Sequence, residues 1–148
     1  MLETKLTKVV TYISNQDRLL VFRHTHFPEA GIQVPAGTVE RGESIEEAAM
    51  REAGEETGLT DLVMDEYLGS DNIEVTLSGK TVTVMRHFFH LRLPGKAPQR
   101  WIHYEHNPSD DSPAPIEFEF FWVQFPAQVP RLSGDQGVFL HRIRRSLL

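Results

Sequence analysis

Two runs of β-branched and aliphatic residues near the start of the chain predict a β-hairpin. Residues 6–13 and 18–22 have the composition of strands. Residues 14–17, Ser-Asn-Gln-Asp, lie between them and are typical of a turn. We expect residues 23–33 to form a loop and residues 34–39 to form a short strand-like segment interrupted by Pro and Gly.

A helix is predicted at residues 44–58. Ser44 is followed three residues later by Glu47, which is the spacing of a capping box, and Gly58 is a typical residue after a helix end. On a helical wheel one stripe of this segment begins apolar and ends acidic. Its members are Ile45, Ala48, Ala49, Glu52 and Glu56, with Glu55 at the edge.

The second half of the chain again has strand composition. Strands are predicted at residues 62–68, 73–77, 81–93 and 116–125. Ser-Gly-Lys at 78–80 indicates a hairpin between the second and third of these.

Two further segments follow from composition and spacing. Residues 94–115 lack periodicity and are predicted to form a long loop. Residues 134–148 are predicted to form a closing helix that packs through Val138, Phe139, Ile143 and Leu147. Many strands with two helices predict an α+β fold, in which helices flank a mixed β-sheet, and we expect one domain over residues 1–148.

Composition and charge narrow the function. The 148 residues include no cysteine, which excludes disulfides, thiolate metal sites and cysteine nucleophiles. The net charge of −6 argues against binding of DNA through its phosphates. No segment has the apolar length of a membrane span and the first residues lack a signal peptide, so we expect a cytoplasmic protein without membrane contacts.

The acidic end of the helical stripe is the strongest candidate for chemistry. Like charges three and four residues apart destabilise a helix, so Glu52, Glu55 and Glu56 are either well solvated or meet a cation. Convergent carboxylates suit Mg²⁺, which also keeps waters and substrate phosphate oxygens. The alternative is an ordinary solvated face.

Residues 37–59 resemble the Nudix box, the signature motif of the Nudix hydrolase family. The motif is Gly, five residues, Glu, seven residues, Arg-Glu, a bulky aliphatic, any residue, Glu-Glu, any residue, Gly and an aliphatic. The matching residues are Gly37, Glu43, Arg51, Glu52, Glu55, Glu56, Gly58 and Leu59, while Ala53 is smaller than the usual aliphatic. At roughly 7% usage per residue, seven chance identities at one start have a probability on the order of 10⁻⁸.

The resemblance implies an α/β/α sandwich and hydrolysis, with Mg²⁺ or Mn²⁺, of a nucleoside diphosphate linked to another group. Glu52, Glu55 and Glu56 would be metal ligands, with the backbone carbonyl of Gly37 or Ala36 beside them. Arg51 would pair with Glu43 to orient loop and helix; contact with substrate phosphate is the alternative role for Arg51.

Three charged residues outside the motif are further candidates for the functional site. Glu117 and Glu119 alternate onto one strand face and are candidates for a ligand or general base, or else face solvent. Arg23 is a candidate for phosphate binding, or else an exposed strand end.

The remaining candidates are aromatic and histidine residues. Trp101, with Arg100, His103 and Tyr104, is placed to stack on a base, or else to pack the loop onto the body. His24 and His26 lack the second cluster that a metal pair requires.

Three functions remain open from the sequence. The resemblance favours a pyrophosphohydrolase with a small-molecule nucleotide substrate. The alternatives are a nucleotide-sensing module without catalysis and an enzyme that removes pyrophosphate from RNA 5′ ends. A homodimer is also compatible with the resemblance.

Overall fold

The computed structural model describes residues 5–105 and 115–144, and these form an eight-stranded mixed sheet with one α-helix. The strands are β1 Lys5–Asn15, β2 Arg18–His24, β3 Ile32–Gln33, β4 Ala36–Thr38, β5 Val63–Leu77, β6 Lys80–Arg92, β7 Arg100–Glu105 and β8 Ile116–Gln124. The helix is α1, Ile45–Thr57.

The sheet order is β5-β6-β1-β2-β8-β7, with β4 paired to β1 and β3 paired to β2. β1 and β6 are parallel, whereas the other pairs are antiparallel. The predicted hairpin of β1 and β2 is confirmed, as is the α+β class with a mixed sheet. The parallel pair joins the two hairpins into one sheet.

Local sequence determines both ends of α1. The Ser44 hydroxyl accepts from the Glu47 backbone N–H while the Glu47 carboxylate accepts from the Ser44 N–H, which completes the predicted capping box. At the other end Gly58 adopts φ +79°, a left-handed conformation that glycine tolerates best. These two signals fix the register of the helix and therefore which side chains it buries.

A hydrophobic core lies on each side of the sheet. On the α1 side Ala48, Ala49 and Ala53 are fully buried against strand residues that include Val9 and Phe89. The opposite core is closed by Leu132, Phe139 and Ile143, which follow the last strand. Because alanines are small, α1 approaches the sheet closely along its whole buried stripe.

The structure corrects the prediction of a closing helix at residues 134–148. Its described part instead contains two 3₁₀ turns, Ser133–Asp135 and Leu140–Arg142. Gly134 and Asp135 have φ of 61° and 54°, outside the right-handed helical region. Phe139 and Ile143 nevertheless pack as expected and Val138 is exposed, whereas Leu147 lies outside the described residues.

The structure also changes the predictions for one pair of strands and for one loop. The segments predicted at 62–68 and 73–77 form one long strand, β5, with irregularities where it passes Met64–Glu66 and Tyr67–Gly69. The predicted loop at 94–115 contains β7, an edge strand that pairs with β8. The hydrophobic pattern of β7 is weak because the strand contains charged residues and His. Exposure nevertheless alternates along it, and the less exposed residues are Trp101, His103 and Glu105.

Within the described ranges, the structure shows no helix long and apolar enough to span a membrane.

We expect Phe139→Ala to lower the free energy of unfolding by about 3–5 kcal/mol, since Phe139 is buried and packs edge-on against Phe88 with ring centroids 4.9 Å apart. Urea unfolding measures the change. The neighbouring Val138→Ala is the control: Val138 is 44% exposed, and its loss should stay within about 0.5 kcal/mol. Equal effects of the two variants would contradict the packing described here.

Candidate metal and active site

The buried stripe of α1 carries two carboxylates toward the sheet. Glu56 is only 5% exposed, and the Glu52 side chain is 14% exposed. The Glu55 side chain is 63% exposed and lies at the edge of the stripe, as the helical wheel predicts. Both inward carboxylates follow directly from the alanine packing that fixes the rotation of the helix.

β4 lies directly against these carboxylates. A Cβ atom at Gly37 would overlap the Glu52 side chain, so any other residue here would displace that carboxylate. The backbone N–H of Ala36 donates a hydrogen bond to the Glu56 carboxylate. β4 is held in place by β1, since Val9 pairs with Gly37 and Val10 with Ala36.

The electrostatics of the site favour an incoming cation. Burial raises the pKa of Glu56 well above its ordinary value, and the negative charges of Glu105 and Glu52 raise it further. The hydrogen bond from the Ala36 N–H and the charge of Lys8 act in the opposite direction and lower it. Burial also raises the pKa of Glu52, while hydrogen bonding to Arg51 opposes this. Negative charge is therefore concentrated where it is poorly solvated.

Glu105 is a carboxylate of this site that the sequence prediction missed. It ends β7, which is attached to the C-terminal turn of α1 by two hydrogen bonds. The Trp101 indole N–H donates to the Thr57 carbonyl at 2.8 Å, and the His103 Nε2 lies 2.9 Å from the Glu55 carbonyl oxygen. The alternating inner face of β7 was the signal that could have identified Glu105.

Arg51 connects the loop before α1 to the acidic cluster. Its guanidinium donates to Glu43 at 2.7 and 2.9 Å and to the Thr38 carbonyl at 3.0 Å. It also donates to Glu52 at 2.9 Å and to Glu55 at 3.2 Å. The structure thus contains the predicted Arg51–Glu43 ion pair, and the same cation also neutralises part of the carboxylate cluster.

A cavity of about 650 Å³ opens beside these groups. Its acidic lining residues are Glu40, Glu52, Glu56 and Glu105. Aromatic and aliphatic side chains also line it, among them Phe22, Ile73, Val75, Ile116 and Phe118. A cavity of this size, with apolar walls on one part and a cluster of charged groups on another, suits a small molecule that has an apolar part and an ionic part.

The donor set fits a hard divalent cation in its chemistry. Carboxylate oxygens and the nearby backbone carbonyls of β4 are the ligands that Mg²⁺ and Mn²⁺ prefer. Among the described residues, however, no three His, Asp or Glu side chains form a ready-made metal site. Arg51 holds Glu52 and Glu55 instead, so their carboxylates would have to exchange this partner for the metal.

Three of the candidates outside the motif pair with groups other than the acidic cluster. Arg23 pairs with Glu119 at 2.7 Å and stacks over the Phe121 ring. Glu117 accepts from the Thr25 and Tyr104 hydroxyls. None of Arg23, Glu117 and Glu119 is a lining residue of this cavity in the described part of the chain, and their roles in substrate binding stay predictions.

Trp101 packs against the body of the protein. Its ring stacks on Phe120 with centroids 5.3 Å apart and an interplanar angle of 13°. Together with its hydrogen bond to Thr57, this contact accounts for Trp101 as the residue that docks β7 onto α1. Stacking of Trp101 on a nucleobase stays a prediction.

His24 lines the acidic cavity, whereas His26 is exposed. The Nδ1 atom of His24 is buried without a hydrogen-bond partner among the described groups. Its ring lies edge-on to Phe27 and Phe118, with centroids 4.8 and 5.7 Å away. His26 instead lies 3.9 Å from Glu117, so the two histidines do not face a common metal.

Fold and site together define a mixed-sheet domain in which one helix brings carboxylates to a cavity. A family model for the NUDIX domain matches residues 4–140. The chain therefore belongs to the Nudix hydrolase family, whose enzymes are pyrophosphohydrolases acting on phosphoric anhydrides. A comparison with curated proteins finds no match.

Solved structures with similar folds come from several organisms. The MutT protein from Methanosarcina mazei Go1 has a TM-score of 0.65 at 22% identity, over 96% of this chain and 94% of that one. The dihydroneopterin triphosphate pyrophosphohydrolase of E. coli has a TM-score of 0.62 at 21% identity, over 93% and 96%. An Ap4A hydrolase from C. elegans has a TM-score of 0.51 at 20% identity, over 80% of each chain. At these identities the likeness concerns the fold.

The Glu43–Arg51 ion pair predicts an acid-sensitive component of stability. Hydrogen bonding from Arg51 lowers the pKa of Glu43 to about 2, from an ordinary value of 4.5. A lowered pKa in the folded state stabilises the protein above pH 4.5, and this stabilisation disappears as the pH falls toward 2. We expect Glu43→Gln to make the decline in stability between pH 4.5 and 2 shallower.

Urea unfolding at a series of pH values measures this slope. Glu29→Gln, which changes an exposed carboxylate outside the Arg51 network, is the control and should leave the slope close to that of the parent protein. A parent-like slope in Glu43→Gln would show that the ion pair contributes nothing.

Proposed function

We propose that this protein uses Mg²⁺ or Mn²⁺ to hydrolyse a pyrophosphate bond in a nucleoside diphosphate linked to another moiety. The observation that carries the proposal is the meeting of the buried carboxylate of Glu56 and the half-buried carboxylate of Glu52 at a cavity with aromatic walls. Such an arrangement offers a cation site for phosphates and an apolar surface for a nucleobase in one cavity.

The metal would be held by Glu52, Glu56 and Glu55, with the backbone carbonyl of Gly37 or Ala36 beside them. When bound, the ion would neutralise phosphate charge and make a water molecule more nucleophilic. Burial raises the pKa of both Glu52 and Glu56, and the Glu52 charge raises that of Glu56 further, so a cation beside them would offset poorly solvated negative charge, which supports this placement.

The chain's own residues orient and confine the substrate. Arg51 fixes the loop containing Glu43 to the helix and to the Thr38 carbonyl of β4. Phe22 and Phe118 form part of an apolar wall that excludes water from one side of the cavity. Glu105 lines the cavity close enough to raise the Glu56 pKa, so it is a candidate to accept a proton from water.

The substrate class is open within this proposal. The structural neighbours named above include a pyrophosphohydrolase of dihydroneopterin triphosphate and an Ap4A hydrolase, so both compounds belong in a test panel. Nucleotide sugars, nucleoside triphosphates and triphosphorylated RNA complete the panel. The complete set of acidic residues in the box disfavours the alternative of a binding module without catalysis.

The test is product analysis by mass spectrometry after incubation with each compound in Mg²⁺, in Mn²⁺ and in EDTA. We expect metal-dependent cleavage of one class, and ¹⁸O-labelled water identifies the phosphorus that is attacked. Glu56→Gln should reduce the rate by about 100-fold or more, since loss of outer-shell partners alone costs 10- to 100-fold in metal sites.

Glu46→Gln serves as the matched control, because Glu46 is an exposed residue in the first turn of the same helix. Its rate should equal that of the parent protein. Equal rates in Glu56→Gln and Glu46→Gln would remove Glu56 from the machinery. Tight nucleotide binding without cleavage of any panel member would favour the binding module instead.

A further inference from the structure

A second cavity, of about 680 Å³, lies at the end of the sheet where β1 and β6 finish. Three cationic side chains, Arg18, Arg92 and Lys96, line it. None of its lining residues in the described ranges is Asp or Glu. This concentration of positive charge contrasts with the net charge of −6 of the whole chain.

The basic cavity is separate from the acidic one. Lys8 of β1 pairs with Thr38 of β4 and lines the acidic cavity, whereas Ser14, six residues further along β1, lines the basic cavity. At about 3.3 Å per residue Lys8 and Ser14 lie about 20 Å apart, and Val10, which also lines the acidic cavity, lies about 13 Å from Ser14. Among the described residues the two cavities have no lining residue in common.

Hydrogen bonds hold the rim of the basic cavity in a defined shape. The Asn15 side-chain amide donates to the carbonyl oxygens of Leu93 and Gly95, each at 2.8 Å. The Trp122 indole N–H donates to the Pro98 carbonyl at 2.8 Å. The rim segment is thus fixed at both ends, which lowers the entropic cost of binding a ligand there.

Arg92 lies at the end of a series of polar contacts that runs from Ser14 through His90 to Asp65. The Ser14 hydroxyl lies 2.7 Å from His90 Nε2, and His90 Nδ1 lies 2.8 Å from Asp65. Arg92 Nε is 3.6 Å from Asp65, too far for a hydrogen bond, and is buried without a hydrogen-bond partner. Arg92 and Asp65 thus form an ion pair without a hydrogen bond, while the Arg92 side chain is 42% exposed and can still contact a ligand.

The other two cations, Arg18 and Lys96, have different surroundings from Arg92. Arg18 donates to the neutral side chain of Asn15 at 2.9 Å and lies over the Trp122 ring at 5.4 Å. Within the described part of the chain, the structure shows no carboxylate paired with Arg18 or with the exposed Lys96. The charges of Arg18 and Lys96 and the partly exposed charge of Arg92 repel each other, and an anion in the cavity would relieve that repulsion.

We propose that the basic cavity binds a small anion that carries a phosphate group. Two planar guanidinium groups match the tetrahedral oxygens of phosphate through paired hydrogen bonds, and a lysine adds a third charge. Three cations favour a multiply charged group over a single carboxylate. The proposal rests on this cavity alone and does not depend on hydrolysis at the acidic cavity.

The test is isothermal titration calorimetry of the full chain in EDTA, which removes metal-dependent binding at the acidic cavity. Inorganic phosphate, pyrophosphate and a nucleoside monophosphate distinguish a free phosphate ion from a phosphate within a larger molecule, and malonate tests carboxylates. We expect saturable binding of at least one phosphate compound, with malonate weaker.

Variants localise the binding. Arg92→Gln and Lys96→Gln should each weaken binding by about tenfold, the loss expected for one charge-assisted hydrogen bond. Lys96 is exposed, so Lys96→Gln still tests the site if Arg92→Gln disturbs the buried contact with Asp65. Lys80→Gln, at the opposite end of β6, and Glu56→Gln should leave the affinity unchanged.

Three outcomes would overturn the proposal: no binding of any phosphate compound, parent-like affinity in both Arg92→Gln and Lys96→Gln, or tighter binding of malonate than of phosphate. Each is distinct from a failure of hydrolysis, which is measured separately with metal present. An active enzyme without anion binding in EDTA would refute only the second site.

Discussion

The contact of an alanine stripe with the sheet is the constraint on which the acidic site depends. Ala48, Ala49 and Ala53 are fully buried, so α1 cannot rotate without exposing them or clashing with the sheet. The same rotation forces Glu52 and Glu56 inward, although burying a carboxylate costs several kcal/mol unless it is paired. Packing of the alanines thus brings the carboxylates of Glu52 and Glu56 close together where water solvates them poorly.

Arg51 offsets part of the negative charge of the carboxylates on α1. It bridges Glu43, Glu52 and Glu55 and also holds the Thr38 carbonyl, so it joins the loop, β4 and the helix in one network. Glu56 stays outside this network and faces Glu105 and Glu52 as like charges. The remaining imbalance is therefore centred on the most buried carboxylate, where a divalent cation would have the largest effect.

Local signals in the sequence were sufficient for α1 and its buried stripe. Ser44, Glu47 and Gly58 define the helix ends through their own hydrogen bonds and backbone angles, and the motif spacing adds Gly37. β7 and Glu105 were missed because an edge strand with exposed charges lacks a strong hydrophobic pattern. Its position depends on tertiary contacts of Trp101 and His103 with the end of α1. The closing helix was predicted wrongly because apolar spacing did not reveal the left-handed conformation of Gly134 and Asp135.

The two cavities separate charge of opposite sign along one sheet. Lys8 and Ser14 lie on the same strand, yet the acidic cavity near Lys8 collects carboxylates while the basic cavity near Ser14 collects guanidinium groups. Asp65 lies 2.8 Å from the buried His90 and 3.6 Å from Arg92, so it offsets only part of the positive charge at this end of β1. The remaining positive charge, on Arg18 and Lys96, is available to an anion where β1 and β6 finish.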